Sequence, residues 1–201
     1  MRREQRDGPG RLHGLSIRVA LFVALVFLAG TLVAAVLDLR AGIGWSSPIL
    51  QTWALVPQVV SAAGLIYIGY RRNSGAFYIL GALIVLIVIE EAFHVLNPVS
   101  EWLGRNATWA LVYGLVGFIG LMGFALSHRL GSEVERPAVR NLALLLILGG
   151  LFGGPVSVIA SRTNQLRWLF VEEFGEALVF SIIGGYVAGL SVRFGSRSDP
   201  P

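Results

Sequence analysis

The chain contains no cysteine and no lysine, only three histidines, and few charges of either sign. Without cysteine there is no disulfide framework, no thiolate ligand for zinc or an iron–sulfur cluster, no covalent c-type haem and no cysteine nucleophile. Without lysine no Schiff base to retinal can form, which excludes the rhodopsins. Of the histidines, only His94 falls well inside an apolar segment, while His13 and His128 lie near segment ends. A haem held between two histidines across a bilayer is therefore not expected. Charged residues make up 14% of the 201 positions against 55% hydrophobic ones, and the mean hydropathy is +0.70. That leaves too little polar surface to wet a soluble domain.

Six apolar windows are each long enough to cross a hydrocarbon core of about 30 Å. They fall near residues 17–37, 49–70, 76–97, 108–128, 141–160 and 168–191. The expectation is an all-α, polytopic integral membrane protein of six transmembrane helices. Residues 1–16, arginine-rich and interrupted by Gly8-Pro9-Gly10, read as a disordered cytoplasmic tail. Residues 17–192 form the bundle, and 193–201 a second cytoplasmic tail. The first apolar run is too long for the core of a cleaved signal, and Ala34-Ala35-Val36 is a poor cleavage site, so it is read as a retained span.

All 16 basic residues are arginine. Arg2, Arg3, Arg6, Arg11, Arg18, Arg71, Arg72, Arg129, Arg136, Arg140, Arg193 and Arg197 fall on one predicted side; Arg40, Arg105, Arg162 and Arg167 fall on the other. The positive-inside bias then places both termini in the cytoplasm of a multi-pass protein of the cell membrane, read as a bacterial inner membrane. The net charge of +4 reflects this topology. No basic stripe interleaved with aromatics lies outside the spans, so no nucleic-acid partner is expected.

Two acidic stretches interrupt the apolar pattern: Glu90-Glu91-Ala92-Phe93-His94 and Glu172-Glu173-Phe174-Gly175-Glu176. A carboxylate at the centre of a spanning helix costs roughly 2.5–3.5 kcal/mol, so these groups require compensation. The third span runs outward and ends at Asn97-Pro98; the sixth starts outside near Trp168. Both acidic stretches are thus predicted in the outer third of the bilayer, where they converge if the third and sixth spans adjoin. An inverted repeat would put equivalent residues at opposite depths, so convergence on one site explains the match better than duplication. Within each stretch, positions three and four apart share a helix face, which sets Glu90 and Glu91 beside His94, and Glu172 and Glu173 beside Glu176.

This ligand pattern resembles the di-iron and di-manganese carboxylate sites, which use inward glutamates and Glu-x-x-His pairs on facing helices. Glu91-x-x-His94 fits such a pair, and Glu173-x-x-Glu176 fits with a carboxylate in place of the imidazole. The resemblance implies a divalent metal, iron or manganese ahead of zinc, held by Glu90, Glu91, His94, Glu172, Glu173 and Glu176 for redox chemistry or metal handling. Asp38, Gln51, Gln58, Asn97 and Tyr113 are outer-half candidates for remaining ligands or supporting contacts. Intramembrane prenyl endopeptidases use Glu-Glu-x-x-x-Arg, but the arginine positions here are Val95 and Ala177, so that activity is set aside. Oxidase-coupled iron permeases carry Arg-Glu-x-x-Glu, similar to Glu172-Glu173-x-x-Glu176 except for the arginine. The chain as a whole resembles small bacterial six-span proteins with paired acidic motifs in their third and sixth helices.

A second expectation treats the same groups as a proton- or cation-coupled transport site. A third makes the chain an accessory subunit of a membrane complex. Besides lipid, glycine-rich helix faces are the expected contacts for a homo-oligomer or such a complex: Gly114, Gly117, Gly120 and Gly123 in the fourth span, Gly149, Gly150, Gly153 and Gly154 in the fifth. The purely structural alternative is a polar seam, with carboxylates in a wet vestibule beside Arg105, Arg162 or Arg167. Pro57, beside Gln58, is expected to kink the second span.

Overall fold

A computed structural model describes residues 9–40, 48–93, 105–152, 156, 159 and 166–195, with side chains omitted at 9–12, 105–116, 166, 167 and 169. Six long helices account for nearly all of it. They are α1 (Pro9–Arg40), α2 (Pro48–Arg72), α3 (Gly75–Phe93), α4 (Arg105–Leu130), α5 (Arg136–Leu151) and α6 (Leu166–Gly195). Four stretches among the described residues are long and apolar enough to cross a membrane: His13–Arg40, Pro48–Arg72, Gly75–Phe93 and Phe170–Gly195. α1 begins at Pro9 and α6 continues to Gly195, so both helices reach beyond the expected bundle limits of 17 and 192.

α6 is the most buried of the four and the centre of the bundle; α1 and α2 lie along it, α3 packs on α2, and α4 and α5 complete the outer layer. Short connections dictate antiparallel neighbours. Between α2 and α3 the chain turns at Asn73, which holds φ at +49°. Asparagine tolerates this left-handed conformation better than most residues. Ser74 N–H donates to Gly69 C=O at 2.9 Å across the helix end, satisfying a carbonyl that would otherwise be orphaned. The α4–α5 turn is closed similarly: Gly131 N–H donates to Ser127 C=O at 2.9 Å, and the buried Glu135 carboxylate accepts Ser132 N–H at 2.9 Å.

The main core joins α2, α3, α5 and α6 through Leu65, Ile68, Phe77, Leu80, Ile84, Leu142 and Ile183. A second, smaller core sits between α1, α2 and α6, where Ala34, Ala35, Leu50, Ala54 and Ala177 meet Trp53, Phe170 and Phe174. Apolar burial drives little of this in lipid, so close backbone approach carries more of the stability. At Gly185 an added Cβ would lie 2.5 Å from Ala20 O and 2.5 Å from Ala24 Cβ; at Gly189 it would lie 2.7 Å from Ser16 O. Gly185-x-x-x-Gly189 therefore faces Ser16, Ala20 and Ala24, also four apart, and two helix backbones touch along this seam.

The glycines singled out in the fourth and fifth spans behave unequally. Gly123 packs on Leu83 of α3 and Gly149 on Val179 of α6. Gly117, Gly120 and Gly150 have no described neighbour within 4 Å of a Cβ position, so they do not form the expected close contacts within the described chain. Gly153 and Gly154 lie outside the described residues, as do the surroundings of Gly114. Pro57 is buried in α2, with Ser61 Oγ donating to its carbonyl at 2.6 Å.

Asp38 closes the turn between α1 and α2. It is 1% exposed, and its two carboxylate oxygens accept the N–H groups of Ile49, at 3.2 Å, and Leu50, at 2.9 Å. An anion at a helix N-terminus is favoured by the free N–H groups and the helix dipole. Asp38→Ala should lower unfolding stability in detergent by about 1–3 kcal/mol, because two donors lose their acceptor. An unchanged melting transition would show that this clamp carries no stability.

Candidate functional site

The site is built on one face of α2. Gln51 and Gln58 stand two helical turns apart, and the helix aims each amide at a different partner. Gln51 Nε2 donates to Glu173 Oε1 on α6, while Gln58 Nε2 donates to Glu91 Oε2 on α3 at 2.7 Å. Both glutamines were among the outer-half candidates, and both join the acidic stretches.

The acid-bearing turns of α3 and α6 lie within electrostatic range of one another, since the charge of Glu91 acts on both Glu173 and Glu176. Their helices, however, do not adjoin in the way expected. α2 packs against both, and its glutamines bond to glutamates of each. Beyond its own burial, Glu176 is influenced by the charges of Glu91, then Glu173, then Glu172. Glu173 is influenced by burial, by its bond to Gln51, and by the charges of Glu91, Glu172 and Asp38. Four of the six expected groups, Glu91, Glu172, Glu173 and Glu176, thus share one electrostatic site. Glu90, also half-buried, is not among the charges acting on Glu173 or Glu176.

His94 and Asn97 lie outside the described residues, as does the side chain of Tyr113. Among the described residues no three carboxylate or imidazole groups are arranged to hold a metal ion. Asp38 lies within electrostatic range of Glu173, but both its oxygens are committed to the N-terminus of α2. Its role here is structural as well as electrostatic.

Glu173 Oε2 and Gln58 Oε1 are among the acceptor oxygens of the site that are buried without a hydrogen-bond donor among the described residues. Gln58 itself is wholly buried. A buried lone pair without a donor costs about 1–3 kcal/mol.

Two further features were not singled out from sequence. Phe152, at the end of α5, lies directly over Gly175, where any Cβ would collide with its ring. The glycine inside Glu-Glu-Phe-Gly-Glu is the signal for this close approach, and it lets an aromatic ring cover the acidic turn. One turn further along α6, Ser181 Oγ and Thr31 Oγ1 of α1 are 3.2 Å apart and buried, extending the polar line below the carboxylates. A hydroxyl pair of this kind has no sequence signature until the neighbouring helix is known. Compared with family models, with curated proteins and with solved structures, the chain matches none.

Proposed function

We propose that the chain is an integral membrane protein that binds and releases cations at Glu91, Glu172, Glu173 and Glu176, with the proton as the principal cation and coupled transport as its use. The arginine bias supports six spans with both termini in the cytoplasm, which sets the cluster toward the outer face. The observation that carries the reading is the setting of Glu173 and Glu176. Apart from the Gln51 amide, the groups acting on them among the described residues are all acidic. In a medium of low polarity, several like charges this close cannot all stay ionised without a counter-charge. Protons supply it reversibly, and a protonated carboxyl also supplies the donor that Glu173 Oε2 and Gln58 Oε1 lack.

Purified protein in proteoliposomes under an imposed pH gradient should pass a pH-dependent flux. Glu176→Gln, which keeps the shape and removes the exchangeable proton, should reduce it at least about tenfold. A flux indifferent to that change would end the reading.

Divalent metal binding is the second reading, favoured by the same two free acceptors, which are hard oxygen ligands of the kind iron(II) and manganese accept. Under this reading Glu91, Glu173 and Glu176 supply carboxylates and His94, three residues after Glu91, an imidazole. Metal analysis of protein purified without chelator distinguishes the two. Stoichiometric metal that disappears in Glu91→Ala/Glu173→Ala supports the metal site, and negligible metal in both leaves the proton reading.

A further inference from the structure

We propose that the arginine rim around Phe194, at the opposite end of the bundle from the carboxylates, is a binding site for the headgroup phosphate of an anionic phospholipid. Phe194 is 2% exposed and packs on Phe77, with ring centroids 5.6 Å apart. The guanidinium carbons of Arg72 and Arg193 each lie 5.5 Å from the centre of the Phe194 ring. Two cations on one ring are separated by at most twice that distance. A third, Arg71, joins them by donating from Nη2 to the carbonyl of Gly195 at 3.3 Å.

The Phe194 ring holds Arg72 and Arg193, and the Gly195 carbonyl holds Arg71, at the same end of the bundle. The negative end of the α6 dipole and the face of the ring both favour cations there. Three guanidiniums drawn from two helices into one patch complement a phosphate, which their planar forks bind through paired hydrogen bonds.

The position of the patch selects a lipid as the source of that phosphate. It terminates two spanning helices, α2 and α6, so it lies at headgroup depth. Tyr67 and Tyr70, 48% and 74% exposed, flank it on α2, as aromatic side chains do at a membrane interface. A Cβ at Gly195 would stand 3.5 Å from the Tyr67 ring, which places that ring against the same carbonyl segment. Further along α2, exposed Ile66, Val60 and Val59 offer an apolar track for the acyl chains of a lipid held at the rim. Arginine clusters beside spans attract anionic lipids, and here three arginines are gathered at the ends of two spanning helices.

The test uses the full chain in detergent, titrated with phosphatidylglycerol or phosphatidylcholine, with bound lipid counted by native mass spectrometry. Wild type should retain phosphatidylglycerol about tenfold more tightly than phosphatidylcholine. Arg71→Gln/Arg193→Gln should abolish the preference, while Arg129→Gln/Arg140→Gln, the same change of charge elsewhere, should retain it. Phe194→Leu keeps every charge and should weaken retention about threefold through loss of the ring. The proposal is overturned if wild type shows no preference, if the two double variants lose it equally, or if inorganic phosphate competes as well as the lipid does.

Discussion

Glu173→Gln should make the protein more stable and, under the proposed function, abolish the proton-dependent flux. The wild-type carboxylate sits within range of Glu91, Glu172 and Asp38 as well as Glu176. Each unit of negative charge there raises the energy of the folded state relative to a chain in which the groups are apart. Glutamine keeps the side-chain volume, and its Oε1 still accepts the hydrogen bond from Gln51 that Glu173 Oε1 accepts now. Its amide nitrogen also replaces the acceptor at Glu173 Oε2, which is buried without a donor. The expected gain is about 0.5–2 kcal/mol, the range typical when a functional site gives up a destabilising group. For a chain of this size that is a rise of about 2–4 °C per kcal/mol in the melting temperature in detergent. The gap between variant and wild type should close in acid, where neither chain carries charge at this position. A lower melting temperature together with undiminished flux would contradict the proposed role of the cluster.

The largest loss of stability should come from a residue outside the acidic cluster. Gly185→Leu places a side chain where the carbonyl of Ala20 and the Cβ of Ala24 already stand 2.5 Å from the first added carbon. The obstruction at Ala20 is backbone, so no change of rotamer relieves it, and α1 must move away from α6. Overpacking of a filled interior costs about 1–3 kcal/mol where neighbours can yield, and more where they cannot. The variant should be lost to aggregation or degradation on expression. Gly185→Ala, the smallest intrusion, should lower the melting transition measurably. Gly120→Leu, on a face of α4 with no described neighbour within 4 Å, is the matched control and should leave it nearly unchanged. Equal behaviour of the position 185 and 120 variants would mean that the α1–α6 seam is not a close contact.

Glycine content alone could not have ranked these positions. Gly117 and Gly120 form an obvious stripe in the sequence, whereas Gly185 and Gly189 lie in a stretch rich in other small and apolar residues. What separates them is the partner. Ser16, Ala20 and Ala24 repeat every four residues on a helix more than 150 positions away, and nothing local links the two patterns. The acidic site was more legible, because a carboxylate in an apolar run stands out and helix direction gives its depth. Glu91, Glu173 and Glu176 could be brought together on that basis, and Gln51 and Gln58 named as neighbours. The intervening position of α2 was not accessible, since lateral order among helices of similar hydropathy is set by packing detail. Asp38 illustrates the same limit: its acidic character was visible, but its partners are backbone N–H groups, which every residue except proline possesses.

The Asp38 clamp also bears on how the chain enters the bilayer. α1 leaves the translation machinery before α2, and until Ile49 and Leu50 are in place the Asp38 carboxylate has only water to solvate it. Water is abundant in the insertion channel and scarce in the lipid beyond it. The first helix therefore gains its anchoring partner only when the second follows, so the two are best handed to the membrane as a single hairpin.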